Sequence, residues 1–292
     1  MKRVAIISFL IFTLFVSLAC RKHPGDENKP GGIEITEKMP LTDLTSGTFR
    51  GFRGGLYPDG SNERPPAHQA AGLAIANAIK PLNSEGIADE VNGRIVWMSV
   101  GMSNTTQETS TFLAQMKDFP GKHPKLVLVD GAQGGQDINR INNAAATYWD
   151  SAYKRLSYQG VTKYQVQVIW YKEAEASPKD TAFATYPDAL KGKFLNVMQL
   201  LKTKFPNLKM VYLSNRIYAG YASSGLNPEP FAWYTGWAVK RLIEEQLKNN
   251  PSLRFSGDQP SSAWLSWGPD LWSNGATPRS DGLTRLPSDF AS

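Results

Sequence analysis

From residue 95 onward, apolar and polar positions along the chain switch repeatedly between two periods. Four short runs rich in β-branched and aromatic residues, 95–100, 126–129, 164–170 and 208–213, read as buried strands. Between and after them, 109–119, 144–158, 190–205 and 233–247 carry apolar residues at helical spacing. Strands that alternate with helices predict a parallel sheet covered on both faces. In such sheets the ligand site lies beyond the carboxyl ends of the strands. Upstream, 67–79 reads as a helix, and 46–66, Gly-rich with Arg50, Arg53 and Arg64, reads as ordered loop. The pattern predicts one α/β domain over 46–292, a three-layer α/β/α sandwich with a parallel sheet.

The first residues follow a different logic. Lys2 and Arg3 precede an apolar run, 4–18, that is too short to span a bilayer comfortably and reads as a targeting segment. It ends at Leu18-Ala19-Cys20, and Cys20 is the only cysteine of the chain. This resembles a bacterial lipoprotein signal, although Ser17 stands where that signal usually has Leu. The resemblance implies that 1–19 are removed and that Cys20 is acylated, holding the protein on a membrane of the bacterial cell envelope. An ordinary secretory signal with an incidental cysteine is the other reading; a lone cysteine in an exported chain has no partner within it. Residues 20–45, rich in Lys, Pro, Gly and Glu, are expected to form a flexible tether.

Composition narrows the function further. The 292 residues are 41% hydrophobic and 20% charged, values ordinary for a globular protein. The net charge of +6 is scattered without a Lys/Arg block, which argues against nucleic acid as a partner. His23, His68 and His123 are far apart and there is no second cysteine, so no metal site is expected. No cofactor motif is visible either.

Polar segments follow all four strand runs. In Gly101-Met102-Ser103-Asn104, a Ser stands between a buried strand and a helical stretch opened by Thr105-Thr106-Gln107-Glu108. That setting exposes a hydroxyl beside a helix N-terminus, where developing negative charge is favoured; Ser103 could equally be a plain helix cap. Asp130-Gly131-Ala132-Gln133-Gly134-Gly135-Gln136 is a Gly-rich turn whose N–H groups could point at an oxyanion. No Gly-Lys-Ser/Thr follows, so it is not a phosphate loop. Lys172, Glu173 and Glu175 follow the third run, and Asn215 and Arg216 the fourth, where polar groups could grip substrate or simply meet solvent. Trp233, Trp237, Trp264, Trp267 and Trp272 crowd the last third, and most are expected in the core.

Taken together, these segments resemble the SGNH (GDSL-like) hydrolase superfamily, from Ser46 to the C-terminus. Gly101-Met102-Ser103-Asn104 is similar to the nucleophile block, near the Gly-Gln-Ser-Asn form of carbohydrate acetylesterases. The resemblance implies a flavodoxin-like sheet, Ser103 as nucleophile, and an oxyanion hole made by the N–H groups of Ser103 and of Gly134 or Gly135. Asn104, Gln133, Lys172, Glu173, Asn215 and Arg216 then become candidates for binding substrate, an acylated carbohydrate or other small ester. Two departures stand out. The third block offers no Asn or Gln side chain, and the final Asp-x-x-His block is absent. Asp281-Gly282-Leu283-Thr284 either carries Thr in place of His or precedes the true block, so the domain is expected to be incomplete at its C-terminus. No His follows His123. His68 is the one internal candidate for a base. The alternatives are a lipid-anchored, catalytically silent glycan-binding protein or a truncated gene product.

Overall fold

In the computed structural model residues 33–290 are described; Cys20, with the expected signal segment, lies outside them. Five parallel strands form the main sheet: β4 (Ile95–Gly101), β5 (Leu126–Asp130), β6 (Val166–Lys172), β7 (Met210–Leu213) and β8 (Trp264–Trp267). Their order is β5-β4-β6-β7-β8. The chain therefore starts in the sheet, moves one strand to one side, then crosses back and continues to the other side. This is the flavodoxin-like order, and its switch point is the crevice between the carboxyl ends of β4 and β6.

Successive residues of β6 show how the layers are built. Trp170 faces the side of Trp97, which packs against Phe112 of α3 (Ser103–Met116). Tyr171 points to the opposite face, where its ring meets Phe194 of α6 (Tyr186–Lys204) edge-on. On that second face lie α5 (Thr147–Tyr158), α6 and α7 (Phe231–Leu247). On the first face α3 lies over β4 and β5, and α2 (Pro66–Asn77) lies toward β7 and β8. The fold is thus the three-layer α/β/α sandwich anticipated from the pattern.

Helix α7 is enclosed on nearly every side: residues 231–243 are buried without a break, and all but Thr235, Lys240 and Arg241 of that run are apolar, aromatic or glycine. Part of its cover comes from the N-terminal segment. There β1 (Glu34–Ile35), β2 (Thr48–Phe49) and β3 (Phe52–Arg53) form a small sheet, with the single turn α1 (Leu41–Leu44) between them. Leu41 and Leu44 are buried, the Trp233 Nε1 donates to the Met39 carbonyl, and Phe49 packs edge-on to Trp233. The tether expected over 20–45 therefore does not extend to 45. Two leucines in a polar stretch are enough to fold its last third onto α7.

Two further elements differ from expectation. Strand β8, Trp-Leu-Ser-Trp, lies outside the four runs and is completed by pairing with β7. Helix α3 begins at Ser103, two residues before the helical stretch expected to open at Thr105, and its Thr/Ser-rich first turns are helical despite weak propensity. Thr109, Ser110 and Thr111 hydroxyls donate back to the carbonyls four residues earlier. Among the described residues no helix is long and apolar enough to cross a membrane.

Candidate active site at the β4/β6 switch point

Ser103 is the first residue of α3 and follows Gly101 by two positions, so strand passes into helix in one tight turn. Only a glycine fits at 101: a Cβ there would stand 2.1 Å from the Lys172 carbonyl oxygen. Ser103 is exposed, and its hydroxyl has no hydrogen-bond partner among the described residues. The next two side chains turn inward. Thr105 Oγ1 donates to the Lys172 carbonyl at 2.8 Å, tying α3 to the end of β6. The Asn104 amide is buried with neither Oδ1 nor Nδ2 partnered among the described residues.

The Gly-rich turn after β5 is held against this turn. Asp130 Oδ1 accepts from Ser99 Oγ at 2.8 Å and from the Ala132 N–H at 3.0 Å. Burial raises the Asp130 carboxyl above its ordinary range, with the Ser99 hydroxyl opposing the shift. The Gln133 N–H donates to the Gly101 carbonyl at 2.9 Å, and Gln133 Nε2 to the Tyr148 carbonyl at 3.0 Å. These bonds bring Gly134 beside Ser103, where a Cβ at Gly134 would stand 3.7 Å from the Ser103 Cβ. Gly135 has φ of 73°, a left-handed backbone that glycine adopts without strain, and nothing lies within 4 Å of its missing Cβ. The turn is also pinned to the loop after β6, since the Ile138 N–H donates to the Ala174 carbonyl and the Ala176 N–H to Asp137 Oδ2, each at 3.0 Å.

Beneath this surface lies a buried charged layer. The Lys172 side chain is 0% exposed and donates to both carboxylate oxygens of Glu108. Burial lowers the Lys172 ammonium to about 8, against the pull of Glu108. Glu173 is buried as well. Its Oε1 accepts from the Ala174 N–H, while Oε2 has no partner among the described residues. Burial raises its carboxyl far above the carboxylate range, more than the neighbouring Arg216 and Lys172 lower it. Arg216, after β7, is depressed by the same burial and has an unpartnered Nε. Asn215 is locked to the loop after β8: its amide donates to Asp270 and its Oδ1 accepts from the Leu271 N–H at 2.7 Å.

The structure thus brings Ser103, Gly134, Gly135, Asn104 and Gln133 to one place. Lys172, Glu173 and Asn215 follow the same sheet edge but are buried within it, and Arg216 is half-buried there. The missing partner is a base. His68 is in the α2 layer, stacked on Trp264 with ring centroids 4.8 Å apart, its Nε2 at 2.7 Å from the Leu265 carbonyl. That strand is three away from β4, a lateral separation of about 14 Å. His123 precedes β5, at the opposite end of the strands. Among the described residues no His stands at the carboxyl edge. Asp281 is exposed and pairs with Arg279, which holds its carboxyl down at about 2. Sequence reasoning missed Glu108 and Asp270, because neither sits in a recognisable motif. The five C-terminal tryptophans are all buried, and the half-exposed ones are Trp97 and Trp170 instead.

No family model matches this chain, and no curated protein matches it in sequence. Among solved structures it is similar to a crystal structure from Bacteroides fragilis NCTC 9343, described provisionally as an acylhydrolase. That match has 15% identity and a TM-score of 0.33, over 77% of this chain and 91% of the other. So weak an overlap leaves function to be argued from the residues.

Proposed function

We propose that the chain is an SGNH-type serine ester hydrolase scaffold for acylated carbohydrate or another small ester, nearly silent in hydrolysis. The observation that carries this reading is the exposed Ser103 hydroxyl at a strand-to-helix turn, with the Gly134 backbone packed beside it. In a full reaction the Ser103 Oγ attacks the ester carbonyl. The tetrahedral oxygen then gathers negative charge near the free N–H groups at the start of α3 and in the Gly134–Gly135 turn. The hydroxyl proton must leave to a base as the bond forms, and the described residues offer no His at this edge. A hydrolase of this kind without a triad member keeps only ~10³–10⁴-fold catalysis over water. The catalytically silent, glycan-binding reading draws on the same missing base. Acylation of Cys20 and attachment to an envelope membrane complete the proposal.

Hydrolysis of p-nitrophenyl acetate tests it. Wild type is expected to turn over far below ~1 s⁻¹, the low end of the usual enzyme range, and Ser103→Ala to change the rate little. Turnover above that level which vanishes in Ser103→Ala would show an activated serine and overturn the silent reading. His68→Ala, measured in parallel, then reports whether the stacked imidazole is the base.

A further inference from the structure

The Gly-rich stretch before α2 delivers an arginine that the Ser103 turn does not use. Arg64 is half-buried, its Nε donates to Ser266 Oγ at 2.8 Å, and its Nη1 donates to Gln69 Oε1. The guanidinium carbon lies 5.4 Å over the Trp264 ring. All three partners are neutral. Among the described residues no carboxylate pairs with Arg64, and its Nη2 has no partner. The side chain is thus a fixed positive charge that its own fold does not cancel.

The loop that carries it is stiff. Asp59 has φ of 61°, a left-handed backbone that strains a residue other than glycine, and a Cβ at Gly60 would stand 2.5 Å from the Thr45 carbonyl oxygen. The buried Lys240 Nζ donates to the Tyr57 carbonyl, and Trp267 Nε1 to the Leu56 carbonyl, each at 2.7 Å. Asn62 closes the turn, since its Oδ1 accepts from the Leu56 N–H at 3.3 Å and its Nδ2 donates to the Thr42 carbonyl at 2.8 Å.

Between this loop, the start of α2 and the end of β8 lies a cavity of about 500 Å³, lined by Tyr57, Asn62, Glu63, Arg64, Gln69 and Trp267. That volume is within the ~300–1,000 Å³ of small-molecule sites. The cavity opens at the carboxyl end of β8, the edge along which such sheets bind their ligands. Besides Arg64 Nη2, the Gln69 amide nitrogen and the Glu63 carboxylate are free of partners among the described residues. The wall therefore offers one anchored cation, a neutral donor and an acceptor pair. An apolar ligand would strand all of them. A ring that carries one carboxylate and several hydroxyls would use each.

We infer that this cavity is a subsite for an acidic sugar, a uronic-acid unit of an oligosaccharide. Its carboxylate meets the Arg64 guanidinium, and its hydroxyls meet Gln69 and Glu63. The charge-assisted bond is the stronger kind, and an arginine already pinned at Nε and Nη1 loses little freedom in making it. The inference rests on the carbohydrate reading above for its ligand class. Strand β8 is three strands from β4, about 14 Å along the edge, more than one sugar ring spans. The acidic unit is therefore a different unit of the chain from the one whose ester meets Ser103.

Calorimetric titration of the purified chain with β-1,4-linked hexamannuronate and with mannohexaose tests this. The two differ in a carboxylate against a hydroxymethyl group on each ring. Expected is saturable binding of the acidic sugar, with the neutral one at least tenfold weaker and the difference shrinking as salt is added. Arg64→Met should erase the preference for the acidic sugar with unchanged circular dichroism, and Arg64→Lys should keep part of it. Where Arg64→Met fails to fold, the pair of sugars on wild type decides the matter. Binding of neither sugar, equal affinity for both, or an Arg64→Met variant that binds as wild type overturns the inference. So does a zwitterionic dipeptide, glycylglycine, that displaces the acidic sugar from the site. Hydrolysis of p-nitrophenyl acetate, which carries no sugar, is read separately, so failure of the ester reading and failure of this one are told apart.

Discussion

Lys172 occupies a position where an ammonium is costly, and the cost has a sign that can be measured. Its pKa is about 8 folded, against 10.5 in an open chain. Folding therefore releases protons between those values, and stability from this group rises as pH climbs from about 8 toward 10.5. Below the folded value the full penalty applies. In Lys172→Met the penalty disappears and Glu108, 30% exposed, stays hydrated. Urea unfolding of both proteins at pH 7.5 and 9.5 is expected to show wild type gaining on the variant by about 2 kcal/mol at the higher pH, given ~1.4 kcal/mol per pKa unit. A difference that does not change with pH would mean that Lys172 titrates normally. The burial that causes this was not legible in Trp170-Tyr171-Lys172-Glu173, where polar residues after an apolar run read as loop. Strand β6 continues through Lys172 because Gly101 pairs with it, a long-range register that local pattern does not carry. Ser103 and the Gly-rich turn were legible because an exposed hydroxyl after a strand and a run of glycines each have a local physical signature.

Among the elements, the long β-branched strands declared themselves and the short β8 did not. Four residues with two tryptophans look like core from any direction, and only their pairing with β7 makes them a strand. The packing of α2 onto this strand depends on Gly72, whose missing Cβ would stand 2.4 Å from the Trp264 ring. Helix propensity alone favours Ala over Gly by about 1 kcal/mol. Overpacking against an indole that is itself 1% exposed and stacked on His68 costs roughly 1–3 kcal/mol. Gly72→Ala is therefore expected to lower the thermal midpoint rather than raise it. A stabilised variant would show that α2 rides loosely on the sheet.

For the molecule as a whole, the sequence carries an apolar run ending just before Cys20, and the first strand of the described residues begins at Glu34. The lipoprotein reading makes Cys20 the point of attachment. Wild type is expected to incorporate labelled palmitate and sediment with membranes, and Cys20→Ser to do neither; unchanged labelling would remove the anchor. The body also joins its two ends. Tyr57 Oη lies 3.0 Å from Ser266 Oγ, Trp267 Nε1 donates to the Leu56 carbonyl at 2.7 Å, and Lys240 Nζ donates to the Tyr57 carbonyl at 2.7 Å. Tyr57 and Ser266 are 209 positions apart. A ribosome adding about 5–20 residues per second makes Leu41, Leu44, Phe49 and Tyr57 roughly 10–40 s before the strand and helix that receive them exist. Leu41, Leu44, Phe49 and Tyr57 must therefore wait for their partners on α7 and β8 until that later part arrives. The N-terminal cover thus completes its packing only once α7 and β8 have both been made.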